Sequence, residues 1–179
     1  LPEEFYIDGC AEIIKYGMIL DGEFLTFLNG NNIKENIEHV IKRCVELKGN
    51  LVNRDEFDKG ARKLLNFGHT IGHAIEKCSN FEVSHGNAVA IGMVIATKGA
   101  YEVGMSDEDF SDILIPILQK NNLPTTCKYS AEELYKASLS DKKRSFNTMS
   151  LIVSDEYGLC KIMKLPVEDL QNFIDKGMN

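Results

Sequence analysis

Apolar residues recur at helical spacing through most of the chain. Between Gly9 and Asp21, Ala11, Ile14 and Met18, flanked by Ile13 and Ile19, form a stripe that predicts a helix. Asn32 and Glu35 stand at capping-box spacing, and Ile33, Ile37, Val40, Ile41, Cys44 and Val45 then mark the clearest amphipathic helix. It is expected to end near Gly49, where the cation of Lys48 suits the helix dipole. A charged connection from Arg54 to Gly60 leads to a helix starting near Ala61. On it Arg62, Asn66, His69 and His73 fall at steps of four, three and four, a single polar stripe opposite Leu64, Leu65, Ile71 and Ile75.

From Asn87 to Ala100 the chain is apolar almost all round, which predicts a buried central helix holding His85 at its amino end. Ser106 and Asp109 are placed to cap a helix from Asp107 to Asn121, in which Pro116 predicts a kink or a break, and Leu123-Pro124 ends it. Ser130 and Glu133 form a second capping box before a short helix and the charged run Asp141-Lys142-Lys143-Arg144. Met149 to Val153 and Gly158 to Leu165 read as two strands about a turn, followed by a terminal helix from Val167 to Asp175. The fold expected is mainly α, a compact multi-helix domain over residues 1–179 with a small β-hairpin near the carboxy terminus.

Composition narrows the class. With 179 residues and 44% hydrophobic content the chain can bury one substantial core. A net charge of −7 argues against a nucleic-acid or membrane-surface partner bound through bulk charge. Cys10, Cys44, Cys78, Cys127 and Cys160 are odd in number and scattered, so they read as reduced thiols of a cytoplasmic protein rather than a disulfide framework. No apolar run approaches the ~20 residues needed to span a bilayer. The start, Leu1-Pro2-Glu3-Glu4, lacks the regions of a signal peptide and an initiator Met, which suggests a piece of a longer protein or a processed terminus.

The histidines carry the chemistry. His69 and His73 are one helical turn apart and His85 follows a short distance on, while Gly68 and Gly72 leave the helix surface open to close approach. A lone His-x-x-x-His pair is most often a solvated face, but two glycines cost about 1 kcal/mol each in a helix interior, so something is gained there. Glu12 and Lys15, three apart, share a face, either as a surface ion pair or as a carboxylate and an ammonium offered to a ligand. His69, His73, His85 and Glu12 are donors that suit a divalent metal, zinc by preference, with a position left open for substrate. Arg62, Lys15, Lys48 and the Lys142 cluster imply an anionic, oxygen-rich substrate. His39 is assigned no chemistry, and no serine or cysteine stands in the context of a nucleophile.

Gly9-Cys10-Ala11-Glu12-Ile13-Ile14-Lys15-Tyr16-Gly17, Asn66-Phe67-Gly68-His69-Thr70-Ile71-Gly72-His73-Ala74-Ile75-Glu76 and His85-Gly86-Asn87-Ala88-Val89-Ala90-Ile91-Gly92-Met93 together resemble the 3-dehydroquinate synthase family, lyases of the shikimate pathway of aromatic amino acid biosynthesis. The resemblance covers nearly the whole chain and corresponds to that enzyme's helical carboxy-terminal domain. It implies that Glu12, His69 and His85 bind zinc, or another divalent metal such as cobalt, and that His73 instead meets the substrate's phosphate. It further implies that Lys15 contacts substrate hydroxyls, Arg62 and Lys48 the carboxylate, and Asn66 with Lys142 or Lys143 the phosphate. The family commonly has Glu where this chain has Asp58 and Asn87.

The implied reaction turns a seven-carbon keto-sugar acid phosphate, 3-deoxy-D-arabino-heptulosonate 7-phosphate, into 3-dehydroquinate and phosphate. It uses NAD held by an amino-terminal Rossmann-like domain, and the full-length protein is expected to be a homodimer. No G-x-G-x-x-G follows a predicted strand here, so this chain alone is expected to be inactive. A related sugar-phosphate cyclase making a cyclitol would share the metal residues, but Arg62 favours a carboxylate substrate. A polyol dehydrogenase would need fewer anion-binding residues, and a non-catalytic metal-binding module would not need Arg62, Asn66 and His73.

Overall fold

The computed structural model describes residues 1–55, 60–139 and 147–179. In chain order the helices are α1 (Glu3–Leu20), α2 (Gly22–Gly30), α3 (Ile37–Asp55), α4 (His69–Cys78), α5 (His85–Glu102), α6 (Ser111–Lys120), α7 (Ala131–Leu139) and α8 (Leu170–Met178). A 3-10 turn, Ala61–Asn66, precedes α4, and another, Val167–Asp169, precedes α8. Strands β1 (Thr148–Glu156) and β2 (Leu159–Pro166) form the antiparallel hairpin, with Ile152 opposite Ile162.

The domain is built around α5, which packs against α1, α4, α6, α8 and β1. Its apolar circumference is thereby explained: Val89, Ala90, Met93 and Val94 are buried on successive faces. Burying one such large side chain contributes about 1.5–3 kcal/mol, so a helix covered on all sides is held firmly, and His85 at its first position with it. The amino end is tied further by the Ser84 hydroxyl, which donates to the Asp8 carboxylate of α1 at 2.5 Å instead of capping its own helix.

Several elements differ from the sequence expectation. α1 starts at Glu3 rather than Gly9, and α2, an element the apolar pattern does not predict, follows it with Asp21 as its cap, the carboxylate accepting the Phe24 amide at 3.0 Å. α3 starts at Ile37, because the Asn32 side chain accepts the Lys34 and Glu35 amides in a separate turn before it. It continues past Gly49 to Asp55, so Lys48 lies inside the helix and does not close it. Ile41 and Val45, placed in its core stripe by periodicity, are exposed, while Val40, Leu47 and Leu51 face inward.

α6 starts at Ser111, whose amide and hydroxyl donate to Asp109, and it runs through Pro116 without a break. Pro116 is exposed, so the acceptor it leaves unbonded on the preceding turn can be met by water. The Ser130–Glu133 capping box forms as expected, with the Ser130 amide donating to the Glu133 carboxylate at 2.8 Å.

Candidate metal centre

The predicted polar stripe is not one helix. Ala61–Asn66 is a 3-10 turn, Phe67 is extended (φ −55°, ψ 126°), Gly68 is left-handed (φ 76°), and only then does α4 begin with His69. This break has a use. It turns the Phe67 carbonyl towards His69, whose Nδ1 lies 3.0 Å away. A carbonyl can only accept, so the ring proton is fixed on Nδ1 and the Nε2 lone pair is free.

Gly68 and Gly72 serve something other than ligand approach. α5 runs against them, with the Gly68 carbonyl, the Gly72 amide and Gly92 in close contact, so the space they leave is filled by backbone. What the glycines gain is a short distance between α4 and α5. Because the two helices pack this closely, the His69 and His85 rings lie 5.2 Å apart although they come from different elements.

The third member comes from α1. Glu12 Oε1 lies 3.7 Å from His69 Nε2 and 4.0 Å from His85 Nε2. One ligand atom from each of Glu12, His69 and His85 falls within 4.8 Å of the others, a spacing that can hold one divalent ion. Two features of the chain fit such an ion. Glu12 Oε1 is buried without any hydrogen-bond partner, an arrangement that is costly unless something else satisfies it. Its other oxygen accepts from Lys15 Nζ at 2.6 Å, which leaves Oε1 directed at the histidines.

Charge states agree with this arrangement. Burial lowers the His69 imidazole below its ordinary range, the Lys15 ammonium lowers it further, and the hydrogen bond to the Phe67 carbonyl opposes both. His69 is therefore neutral at neutral pH, as a ligand must be. Lys15, with a side chain only 3% exposed, is itself lowered, mainly by burial; Glu12 opposes this and Lys48 adds to it.

His73 is exposed one turn along α4, its ring 5.6 Å from that of His69 and 6.1 Å from that of His85. Lys48 is exposed on α3, near enough for its charge to act on Lys15. Arg62 and Asn66 are exposed on the 3-10 turn, which packs against α1, α3 and both strands. Lys142 and Asp58 lie outside the described residues. His39 is not part of the site; its ring lies on Phe27 at 4.7 Å.

Sequence reasoning gives no role to Glu76, yet its Oε1 lies 3.0 Å from His85 Nδ1. The signal is present in the spacing, since Glu76 is three residues beyond His73 and so continues the same face of α4. His73, Glu76 and His85 form a second set of ligand atoms within 4.8 Å, sharing His85 with the first.

The family model of 3-dehydroquinate synthase carboxy-terminal domains matches residues 9–144. The 3-dehydroquinate synthase of Clostridium kluyveri is 37% identical over 180 residues, covering 97% of this chain and 50% of the relative. That of Clostridium beijerinckii is 41% identical over 174 residues, covering 94% and 50%. The chain thus spans about half the length of the curated relatives it matches.

Two solved structures share the fold. One is ValA, the 2-epi-5-epi-valiolone synthase from Streptomyces hygroscopicus subsp. jinggangensis 5008 with NAD+ and Zn2+ bound, at TM-score 0.78 and 18% identity over 97% of this chain and 51% of that one. The other is a 2-deoxy-scyllo-inosose synthase complexed with carbaglucose-6-phosphate, NAD+ and Co2+, at TM-score 0.78 and 22% identity over 96% and 51%. Among the described residues no helix is long and apolar enough to cross a membrane.

Proposed function

The chain belongs to the 3-dehydroquinate synthase family, and we propose that it is the metal- and substrate-binding half of an enzyme that converts 3-deoxy-D-arabino-heptulosonate 7-phosphate to 3-dehydroquinate and phosphate. The observation that carries the reading is the orphaned, buried Oε1 of Glu12 facing the Nε2 atoms of His69 and His85. Glu12, His69 and His85 hold zinc in this reading, and NAD is bound by the amino-terminal half that relatives of twice the length carry. When bound, the metal supplies Lewis acidity towards a substrate hydroxyl, and the nicotinamide accepts and returns a hydride.

The chain's own residues position and neutralise the substrate. Lys15, buried and held by Glu12, presents an ammonium to substrate hydroxyls at the edge of the metal site. His73 and Asn66, with Lys142, receive the phosphate and stabilise it as it leaves. Lys48 and Arg62 receive the carboxylate, the guanidinium fork giving directional recognition. The chain alone is inactive in this reading, because its sequence carries no G-x-G-x-x-G.

The test is coexpression with the amino-terminal half of the Clostridium kluyveri relative, whose own carboxy-terminal half serves as the positive control. Phosphate release and dehydroquinate formation are followed with zinc and NAD present. The pair should turn over the acid phosphate and the single chain should not. Product from the single chain, or turnover only of a seven-carbon sugar phosphate lacking the carboxylate, would overturn this reading; the second result would indicate a cyclitol-forming cyclase.

A further inference from the structure

We infer that Glu76 is a positioning residue for the metal centre, fixing the tautomer and ring plane of His85 from behind; this rests on the reading of Glu12, His69 and His85 as metal ligands. The geometry is direct. Glu76 Oε1 lies 3.0 Å from His85 Nδ1, and the carboxylate side chain is only 14% exposed. An ionised carboxylate can only accept, so the proton sits on Nδ1 and Nε2 is left bare towards Glu12 and His69.

His69 is held by the same device, with the Phe67 carbonyl in place of the carboxylate. The two rings are thus backed independently, one by main chain and one by a side chain from the neighbouring helix. Such outer partners orient a ligand and raise its basicity.

The chain reversal between α4 and α5 is shaped for this contact. Glu76 closes the last turn of α4, its carbonyl accepting from both the Ser79 hydroxyl and the Phe81 amide. Asn80 and Phe81 then adopt left-handed conformations (φ 52° and 63°), unusual for residues with side chains. Phe81 also remains 73% exposed, so its own burial does not explain that conformation. What the reversal achieves is to bring the first residue of α5 back over the last turn of α4, His85 onto Glu76.

The test uses the whole chain, metal-free and then titrated with zinc, with the histidine tautomers read from nitrogen-15 chemical shifts. In the parent, neutral His85 should carry its proton on Nδ1. Glu76→Ala should move that proton to Nε2 and weaken zinc binding about 10- to 100-fold, with the His69 signals unchanged as the check on folding. Glu76→Gln, which keeps an acceptor oxygen, should keep the Nδ1 proton and the parent cobalt(II) absorption spectrum, and lose less than about tenfold. Retention of the Nδ1 proton or of parent zinc affinity in Glu76→Ala overturns the inference. Should that variant unfold, Glu76→Gln decides, and zinc binding as weak as in His85→Ala overturns it. Failure of the parent to bind zinc instead overturns the metal reading, while the tautomer shift still separates that failure from the loss of the Glu76 contact.

Discussion

Gly92 of α5 packs so closely on Gly68 that a Cβ at Gly92 would fall 2.1 Å from the Gly68 carbonyl oxygen. No side-chain movement relieves a clash with backbone, so the helices must separate. Gly92→Ala is expected to destabilise the chain by about 1–3 kcal/mol or more, measured as a lower urea midpoint. Because the same contact sets how near His85 comes to His69, zinc affinity should fall with it. Gly49, inside α3, is the internal comparison, since a Cβ added there would meet nothing within 4 Å. There Gly49→Ala should stabilise by about 0.5–1 kcal/mol.

Zinc titration separates the histidines. Glu12→Ala and His85→Ala should abolish binding by calorimetry, and His73→Ala should leave it nearly intact, because His73 stands beside the first ligand set without belonging to it. Bound metal should raise the melting temperature, with a stabilisation of about 2.7 kcal/mol when free zinc is a hundred times Kd, and a chelator should reverse it. Loss of binding in His73→Ala equal to that in His85→Ala would place the ion on the His73, Glu76 and His85 set instead.

Asp8 and Ser84 join the two helices that carry Glu12 and His85. Ser84→Ala removes a hydrogen bond to a carboxylate, which typically contributes about 1.5–3 kcal/mol. The unfolding free energy should fall by about that amount. A double-mutant cycle with Asp8→Ala should show the two losses to be non-additive, since each variant breaks the same contact.

How much of this is legible without the structure depends on which residues speak locally. The apolar circumference of Val89 to Ala96 and the Ser130–Glu133 box each have a single local meaning, and both form as expected. The break at Phe67-Gly68 is hidden because Arg62, Asn66, His69 and His73 keep helical spacing across it, and spacing cannot register a left-handed glycine. Ile41 and Val45 are misplaced for a related reason: periodicity identifies an apolar face but not whether another element covers it. Spacing alone also leaves His69, His73, His85 and Glu12 equivalent. The packing of α1 against α5 brings Glu12 Oε1 to 3.7 Å from His69 Nε2 and 4.0 Å from His85 Nε2, a meeting of distant elements that no local spacing registers.

Burial sets a pH dependence at the alkaline end. Cys160, whose thiol donates to the Met18 carbonyl at 3.5 Å, is pushed up from 9.0 to about 12, and Cys44 to about 11. Below pH 9 both folded and unfolded thiols are protonated. Above it the unfolded thiols ionise first, so the unfolded state binds fewer protons and stability falls as pH rises through the interval from 9 to 12. Between about pH 8 and pH 10, Cys160→Ala should lose about 1 kcal/mol less stability than the parent, read from urea midpoints at the two pH values.

The 2.6 Å ion pair between Lys15 and Glu12 is kept either for the fold or for the site, and stability and turnover separate the two. Moving an ammonium into a place only 3% exposed is costly, and one carboxylate oxygen returns part of that cost. A hydrophobic side chain of similar volume carries no such cost. Replacing both partners, Lys15→Met together with Glu12→Leu, should therefore leave the metal-free chain as stable as the parent, or more stable, in urea unfolding. Glu12→Ala strands the buried cation and should lower stability by about 3 kcal/mol. In the two-half enzyme Lys15→Met alone should abolish turnover. A stable, active Lys15→Met enzyme would remove Lys15 from the substrate site. An unstable double variant would mean that the pair is retained for folding, because its Coulombic gain exceeds the cost of desolvating the two charges.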